Sequence, residues 1–367
     1  MKDVAPIKFN AIQAIQGNRY NYIIQIPLSL VEQLFYFPNA ENLNKSYQRK
    51  INKLREQEIA NYINGNNYVL PPVVAFPVEG GFVFTEHQID HVHVSQKTGV
   101  IELAENTKFG LFDGQHRISG IIQALKGKND LAAHSISVML TQKPTLQVAQ
   151  QFFADINLNA VKPSQSIKLF FNNRDAISNL TKHIIKNSPL LAELTDFGAS
   201  NLAKDSQKLF SFSAIYSMVN ELHKGLSNDY SFEEKAEIII EFSQTLTESF
   251  TPFLNVFEKN ISSEQLRADS IAPFAVTLQA LGIFGKTVIN SNPDNWKELV
   301  EKLYLVSFHK STTHWQNRVI QQGKIKKSRT NSQLIANVIL KALNITLSGD
   351  NLAVENKFLG IQNEVIL

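Results

Sequence analysis

The hydrophobic period of this chain changes at Pro144. Upstream of it, apolar residues come in short runs that alternate with polar ones, the period of a half-buried strand. Tyr22, Ile24 and Ile26 form one such set, within a strand expected over 20–26, and Ile7, Phe9, Ala11 and Ile12 mark another over 7–16. Further strands are expected at 69–76, 82–84, 89–94, 100–103, 109–112 and 136–140, with Lys97-Thr98-Gly99 as a turn. Helices are expected at 28–35, 47–64 and 118–125. Downstream, the stretches 145–155, 164–172, 175–187, 207–223, 232–249, 270–290, 294–307 and 330–345 carry apolar residues at helical spacing. Ser231 followed by Glu233 and Glu234 reads as an N-cap and an acidic first turn. A period that switches once implies an α+β chain: a mixed N-terminal domain over 1–145, a mainly α-helical region over 146–345, and a loosely ordered tail over 346–367.

Composition narrows the function classes. With 43% apolar residues in a chain of 367, a sizeable core can be buried. The absence of cysteine excludes disulfides, thiolate metal sites and a cysteine nucleophile. The segment Met1-Lys2-Asp3-Val4-Ala5-Pro6 has no apolar leader pattern, and no run approaches the roughly 20 apolar residues of a membrane span. A cytoplasmic protein with no membrane partner is the expectation.

A net charge of +3 is too small to imply a nucleic-acid partner. Its distribution says more. From Lys302 to Gly349 there is no Asp or Glu, while Lys310, Arg318, Lys324, Lys326, Lys327 and Arg329 crowd the middle of that stretch. A second acid-free stretch, Asn42 to Arg55, carries Lys45, Arg49, Lys53 and Arg55. Clustered cations are the electrostatic footprint of phosphate binding, and these ten residues are the candidate contacts to double-stranded DNA. The alternative is a solvated face balanced by acids from elsewhere in the fold. Gly323 to Arg329 reads as an exposed loop or hairpin, the best candidate for a DNA-backbone contact. Trp315 beside it would stack on a base or, more commonly for Trp, pack in the core.

The chemistry-bearing segment is Phe112-Asp113-Gly114-Gln115-His116-Arg117, between an apolar strand and an apolar helix. Gly114 permits a tight turn. The residues after it sit at a helix N-terminus, where unpaired N–H groups favour an anion, and Arg117 adds a planar fork suited to phosphate. The bland alternative is an N-capping Asp113 and a surface Arg117. Asp155 and Asn157, with Asn159 and Lys162, could complete a nucleotide or metal-phosphate pocket with Asp113, or Asn157 and Ser164 could simply cap helices. His87, His91 and His93 cluster, but a strand puts only the last two on one face, so no metal is expected there.

The segment Phe112–Arg117 resembles the DGQHR family and the signature loop of the ParB/sulfiredoxin-like fold. Sulfiredoxins carry F-G-G-C-H-R and ParB proteins G-E-R-R in the same strand–loop–helix setting, where the loop binds nucleotide phosphates. Gly114, His116 and Arg117 match the first pattern, with Gln115 in place of the catalytic cysteine; Gly114 and Arg117 match the second, with Gln115 and His116 replacing its Glu-Arg pair. The implied ligand at Asp113, Gly114, Gln115, His116 and Arg117 is a nucleoside triphosphate with a divalent cation, without sulfiredoxin chemistry. The run Phe152 to Ser164, followed by Arg174-Asp175, resembles a stretch of the DndB family of bacterial DNA phosphorothioation (sulfur modification) systems. Gln48-Arg49, Arg55 and Tyr68-Val69-Leu70-Pro71-Pro72 also suit that family, over about residues 5–175 and more loosely beyond. The resemblance implies a DNA-binding transcriptional regulator of the modification operon, responsive to nucleotide. The alternative it implies is a nucleotide hydrolase or nucleotide-switched DNA clamp related to ParB. Other modification proteins and a second copy of the chain are the further partners. Redox sensing through a cysteine, linked to some members, has no residue to act through here.

Overall fold

The computed structural model describes residues 6–37, 51–65, 67–87, 97–127, 129–158 and 162–360. The chain divides into two compact units, Met1–Val161 and Lys162–Leu367.

The first unit is built on β1 (Lys8–Gln16), β2 (Arg19–Pro27), α1 (Val31–Leu34), α2 (Lys53–Asn64), β3 (Val73–Glu79), β4 (Phe82–Glu86), β5 (Lys97–Leu103), β6 (Lys108–Asp113), α3 (Gln115–Leu125), β7 (Ser135–Thr141) and α4 (Leu146–Leu158). The strands form one seven-stranded sheet in the order β4-β5-β1-β2-β7-β3-β6. Every pairing is antiparallel except β3 with β7, so the sheet is mixed. Alternation decides the faces. On β2, Ile24 is 1% exposed while its neighbour Ile23 is 49% exposed. Tyr22, Ile24 and Ile26 join Val73, Ala75, Leu111, Val138 and Leu140 in a core that α2 and α3 complete with Ile63, Ile118 and Ile121. Phe76 and Phe112 project from the other face, where Ala149 and Phe152 of α4 meet them.

The turn expected at Lys97–Gly99 is instead the start of β5. Gly99 pairs with Ala11 on one side and Glu86 on the other, and two ladders override a local turn preference. The strand expected at 89–94 falls outside the described residues.

The second unit comprises α5 (Gln165–Phe170), α6 (Ala176–Asn187), α7 (Pro189–Leu194), β8 (Thr195–Asp196), β9 (Phe210–Ser211), α8 (Phe212–Gly225), α9 (Phe232–Ser249), α10 (Thr251–Phe257), α11 (Ser263–Asp269), α12 (Ala275–Ser291), α13 (Trp296–Glu301), β10 (Ile320–Gln321), β11 (Lys324–Ile325), α14 (Arg329–Ala342) and α15 (Gly349–Leu359). Helix α12 is buried on most of its circumference, from Val276 to Ile289, as a central helix must be. It packs between α8 and α14. Helix starts follow their caps. Ser231 and Glu234 form a reciprocal capping box on α9, Ser164 accepts from the Ile167 N–H, and Asp175 accepts from the Ser178 N–H. The single helix expected over 294–307 is α13 followed by a 3-10 turn, Lys302–Leu305.

The segment expected to be a loosely ordered tail contains α15, whose Glu355 is 2% exposed. One buried carboxylate, rather than an apolar stripe, fixes that helix. Among the described residues no helix is long and apolar enough to cross a membrane.

Candidate functional site

The strand–glycine–helix junction lies at the end of β6. Phe112 is stacked on Phe76 at a 4.3 Å centroid distance and meets Phe152 edge-on at 5.5 Å, so the strand is clamped just before the turn. Gly114 then adopts φ 101° and ψ 9°, and a Cβ there would lie 2.4 Å from Val73 Cγ1. Both facts reserve the position for glycine. Gly114 is also the N-cap of α3, so no side chain caps the first turn of that helix.

Arg117 turns back across the junction. Its Nη1 donates to the carbonyls of Pro71 (2.9 Å) and Pro72 (2.7 Å), and its Nη2 donates to Asp113 Oδ2. The guanidinium thus ties the entry of β3 to the start of α3. Its side chain is 16% exposed against 41% for Asp113. His116 Nε2 accepts the Asn52 backbone N–H at 3.1 Å, and Asn52 in turn caps α2 by accepting from Leu54 and Arg55. That nitrogen therefore carries its lone pair in this arrangement. Gln115 is buried. The five junction residues sit together, with Arg117 already neutralised by a carboxylate. A phosphate entering here competes with Asp113 for the same fork.

Asp155 lies on α4, one turn past Phe152, and accepts from Gln151 Nε2 at 2.6 Å. The Asn157 side chain and all of Asn159 lie outside the described residues, as do Lys45, Arg49, His91 and His93. Lys53 and Arg55 are exposed in the first turn of α2. His87 donates its backbone N–H to the Thr98 carbonyl. Among the described residues no group of three or more side chains suits a metal ion.

In the helical unit the basic run divides by burial. Gln322 (φ 52°) and Gly323 (φ 71°) make the two-residue turn between β10 and β11, both central residues left-handed as the strand twist requires. Lys324, Lys326 and Lys327 are exposed on this hairpin. Beneath it, Trp315 is fully buried, stacked on Phe308 and donating Nε1–H to the Ser307 carbonyl at 3.0 Å; it is a core residue and not a stacking platform for a base.

The other cations of the run are engaged inside the unit. Arg318 is 9% exposed and binds Glu355 with both Nη atoms, at 2.8 and 2.7 Å. Lys310 donates to the Arg267 and Ala268 carbonyls at the end of α11, and burial lowers its pKa against the pull of Asp269. Arg329 pairs with the buried Glu221 of α8 while remaining half exposed. Arg318 and Lys310 are thus withdrawn from the surface that the acid-free run suggested. Their acceptors come from α15 and α11, far away in sequence. Arg267, which no motif in the sequence marks, donates to the carbonyls of Lys204, Ser206 and Lys208.

Fold and site together define an α+β protein that joins a mixed-sheet unit, carrying the strand–glycine–helix junction, to a mainly helical unit carrying a cationic hairpin. The model of the DndB family, described as DNA-sulfur modification-associated, matches residues 9–346, and the chain belongs to that family. No curated protein and no solved structure matches it.

Proposed function

We propose that this protein is a DNA-binding transcriptional regulator of a DNA phosphorothioation operon. The observation that carries the reading is the hairpin, which presents Lys324, Lys326 and Lys327 to solvent within a stretch of chain free of acidic residues. Membership in a DNA-sulfur modification-associated family supplies the context. Ammonium groups on a short rigid ribbon suit backbone phosphates, which position a protein on a duplex without reading its sequence. Operator choice then rests on other residues. Binding of a labelled duplex from the operon's promoter, measured across a salt series, tests the reading. Affinity that ignores both salt and the removal of these three lysines overturns it.

A second reading is favoured by the junction in the sheet unit: a nucleotide-switched clamp or hydrolase. The α3 N-terminus carries no side-chain cap, and Arg117 lies in its first turn. A nucleoside triphosphate with a divalent cation would draw Arg117 from Asp113 and could leave that carboxylate for the metal. Turnover of ATP by the wild type and its loss in Arg117→Ala tests this. Other modification proteins, or a second copy of the chain, are the further partners this membership suggests.

A further inference from the structure

We propose that a cavity at the foot of the basic hairpin is a seat for a phosphoryl group. The cavity encloses about 260 Å³ in the helical unit and is bordered by Arg267, Lys327, Ser200, Ser211 and the first residues of α12, Ala275 and Val276. Among the described residues no carboxylate lines it. The acids that act on Arg267 through space, Glu264 and Asp205, are not part of this wall. Two cations in a wall without a carboxylate create a positive potential that an anion relieves.

The donors converge from separate elements. Arg267 on α11 is held in place by its three carbonyl acceptors, while its Nε is enclosed and has no hydrogen-bond partner among the described residues. Lys327 comes from the hairpin, and Ile325 of the same hairpin lines the cavity too, so ribbon and cavity share one surface. The 17-residue helix α12 begins at this wall, and its N-cap, Phe274, offers no side-chain acceptor to the first turn. A guanidinium, an ammonium and the backbone N–H groups of a helix start, brought by separate elements, suit a tetrahedral oxyanion better than a planar carboxylate.

The phosphoryl group is either a backbone phosphodiester of DNA, in which case the seat rests on the DNA-binding reading above, or that of a free phosphate ester. The test uses the full chain and Ala275→Asp. An acid at the first position of a helix favours that helix and makes the seat repulsive; because Ala275 also packs against the core, the variant's cooperative unfolding without ligand is checked first. Lys327→Glu, at an exposed position, serves as a second variant. Thermal unfolding is followed with inorganic pyrophosphate, and binding of a labelled DNA duplex by fluorescence anisotropy. Pyrophosphate should raise the wild-type Tm but not that of Ala275→Asp, and both variants should lose about tenfold or more in DNA affinity. An equal pyrophosphate response in wild type and both variants overturns the seat, whatever DNA does. Loss of that response with DNA affinity unchanged assigns the seat to a small phosphate ester and removes the phosphodiester contact. A wild type that answers to pyrophosphate but binds no DNA keeps the seat and sinks the DNA-binding reading.

Discussion

Arg318 and Glu355 meet inside the helical unit as a two-pronged ion pair, with Asn337 and Lys341 closing the remaining sides of the carboxylate. Burial pushes the Glu355 carboxyl up, but the hydrogen bonds from Arg318, Lys341 and Asn337 and the Arg318 charge outweigh it and hold the group at about 2. A carboxyl held below its unfolded value stabilises the fold at all pH above that value and ceases to do so as pH falls through the folded one. Wild-type stability should therefore decline between about pH 4.5 and pH 2 in a way that Glu355→Gln does not share. At neutral pH, Glu355→Gln should cost about 3–5 kcal/mol, because it leaves Arg318 buried without its counter-ion. Chemical denaturation across pH checks both. A variant as stable as wild type would mean that α15 is not held by this pair.

Gly114 stands directly against Val73 of β3. Gly114→Ala adds a Cβ against Val73 Cγ1 at a φ of 101°, so steric crowding and backbone strain act together. The loss should be about 2 kcal/mol or more. Val73→Ala in the same chain should restore only the part due to Cγ1, since the Cβ of residue 73 stays 2.8 Å from the added methyl and the backbone strain remains. Urea unfolding of the wild type and of the single and double variants gives the coupling between the two sites; a coupling of zero would show that strain and the Cβ contact, not Cγ1, set the loss.

How much of this was legible in the sequence depends on how local each cause is. The strand expected over 20–26 and the helices expected over 232–249 and 330–345 follow from periods and caps within a few residues, and they stand at 19–27, 232–249 and 329–342. The junction was legible for the same reason: strand, glycine and helix are contiguous. What Arg117 binds was not, because Pro71 and Pro72 lie about 45 residues upstream and reach it only through the fold. The charge of Arg318 was legible but its burial was not, since Glu355 arrives from a helix with little apolar pattern to announce it. Exposure of Lys324, Lys326 and Lys327 followed from the turn chemistry of Gly323, which is local again.

Arg117 bridges a carboxylate and two carbonyls, a geometry that a lysine cannot reproduce with one ammonium. Arg117→Lys and Arg117→Ala should each lower stability, by about 1–3 kcal/mol, in calorimetric or denaturant unfolding. Asp113→Asn separates that structural role from ligand binding. It removes the competitor for the guanidinium, so ATP affinity measured without divalent metal should rise if the junction takes phosphate. An unchanged or undetectable affinity in Asp113→Asn would mean that the turn is purely architectural.

The hairpin makes the sharpest solution prediction because only charge is at issue. Each lysine that neutralises a DNA phosphate steepens the log–log dependence of affinity on salt by about 0.9. If Lys324, Lys326 and Lys327 all touch the backbone, the triple alanine variant should lose about 2.7 from that slope. Its affinity should fall steeply at low salt and only modestly at high salt, where the released counter-ions matter less. Lys297→Ala is the control, since Lys297 is also exposed but paired with Glu241 at 3.0 Å. The triple variant should unfold at the wild-type midpoint, because none of the three side chains makes an ion pair or hydrogen bond among the described residues and surface changes of this kind are usually near neutral. A slope that stays at the wild-type value while Lys297→Ala alters it would move the DNA contact away from the hairpin.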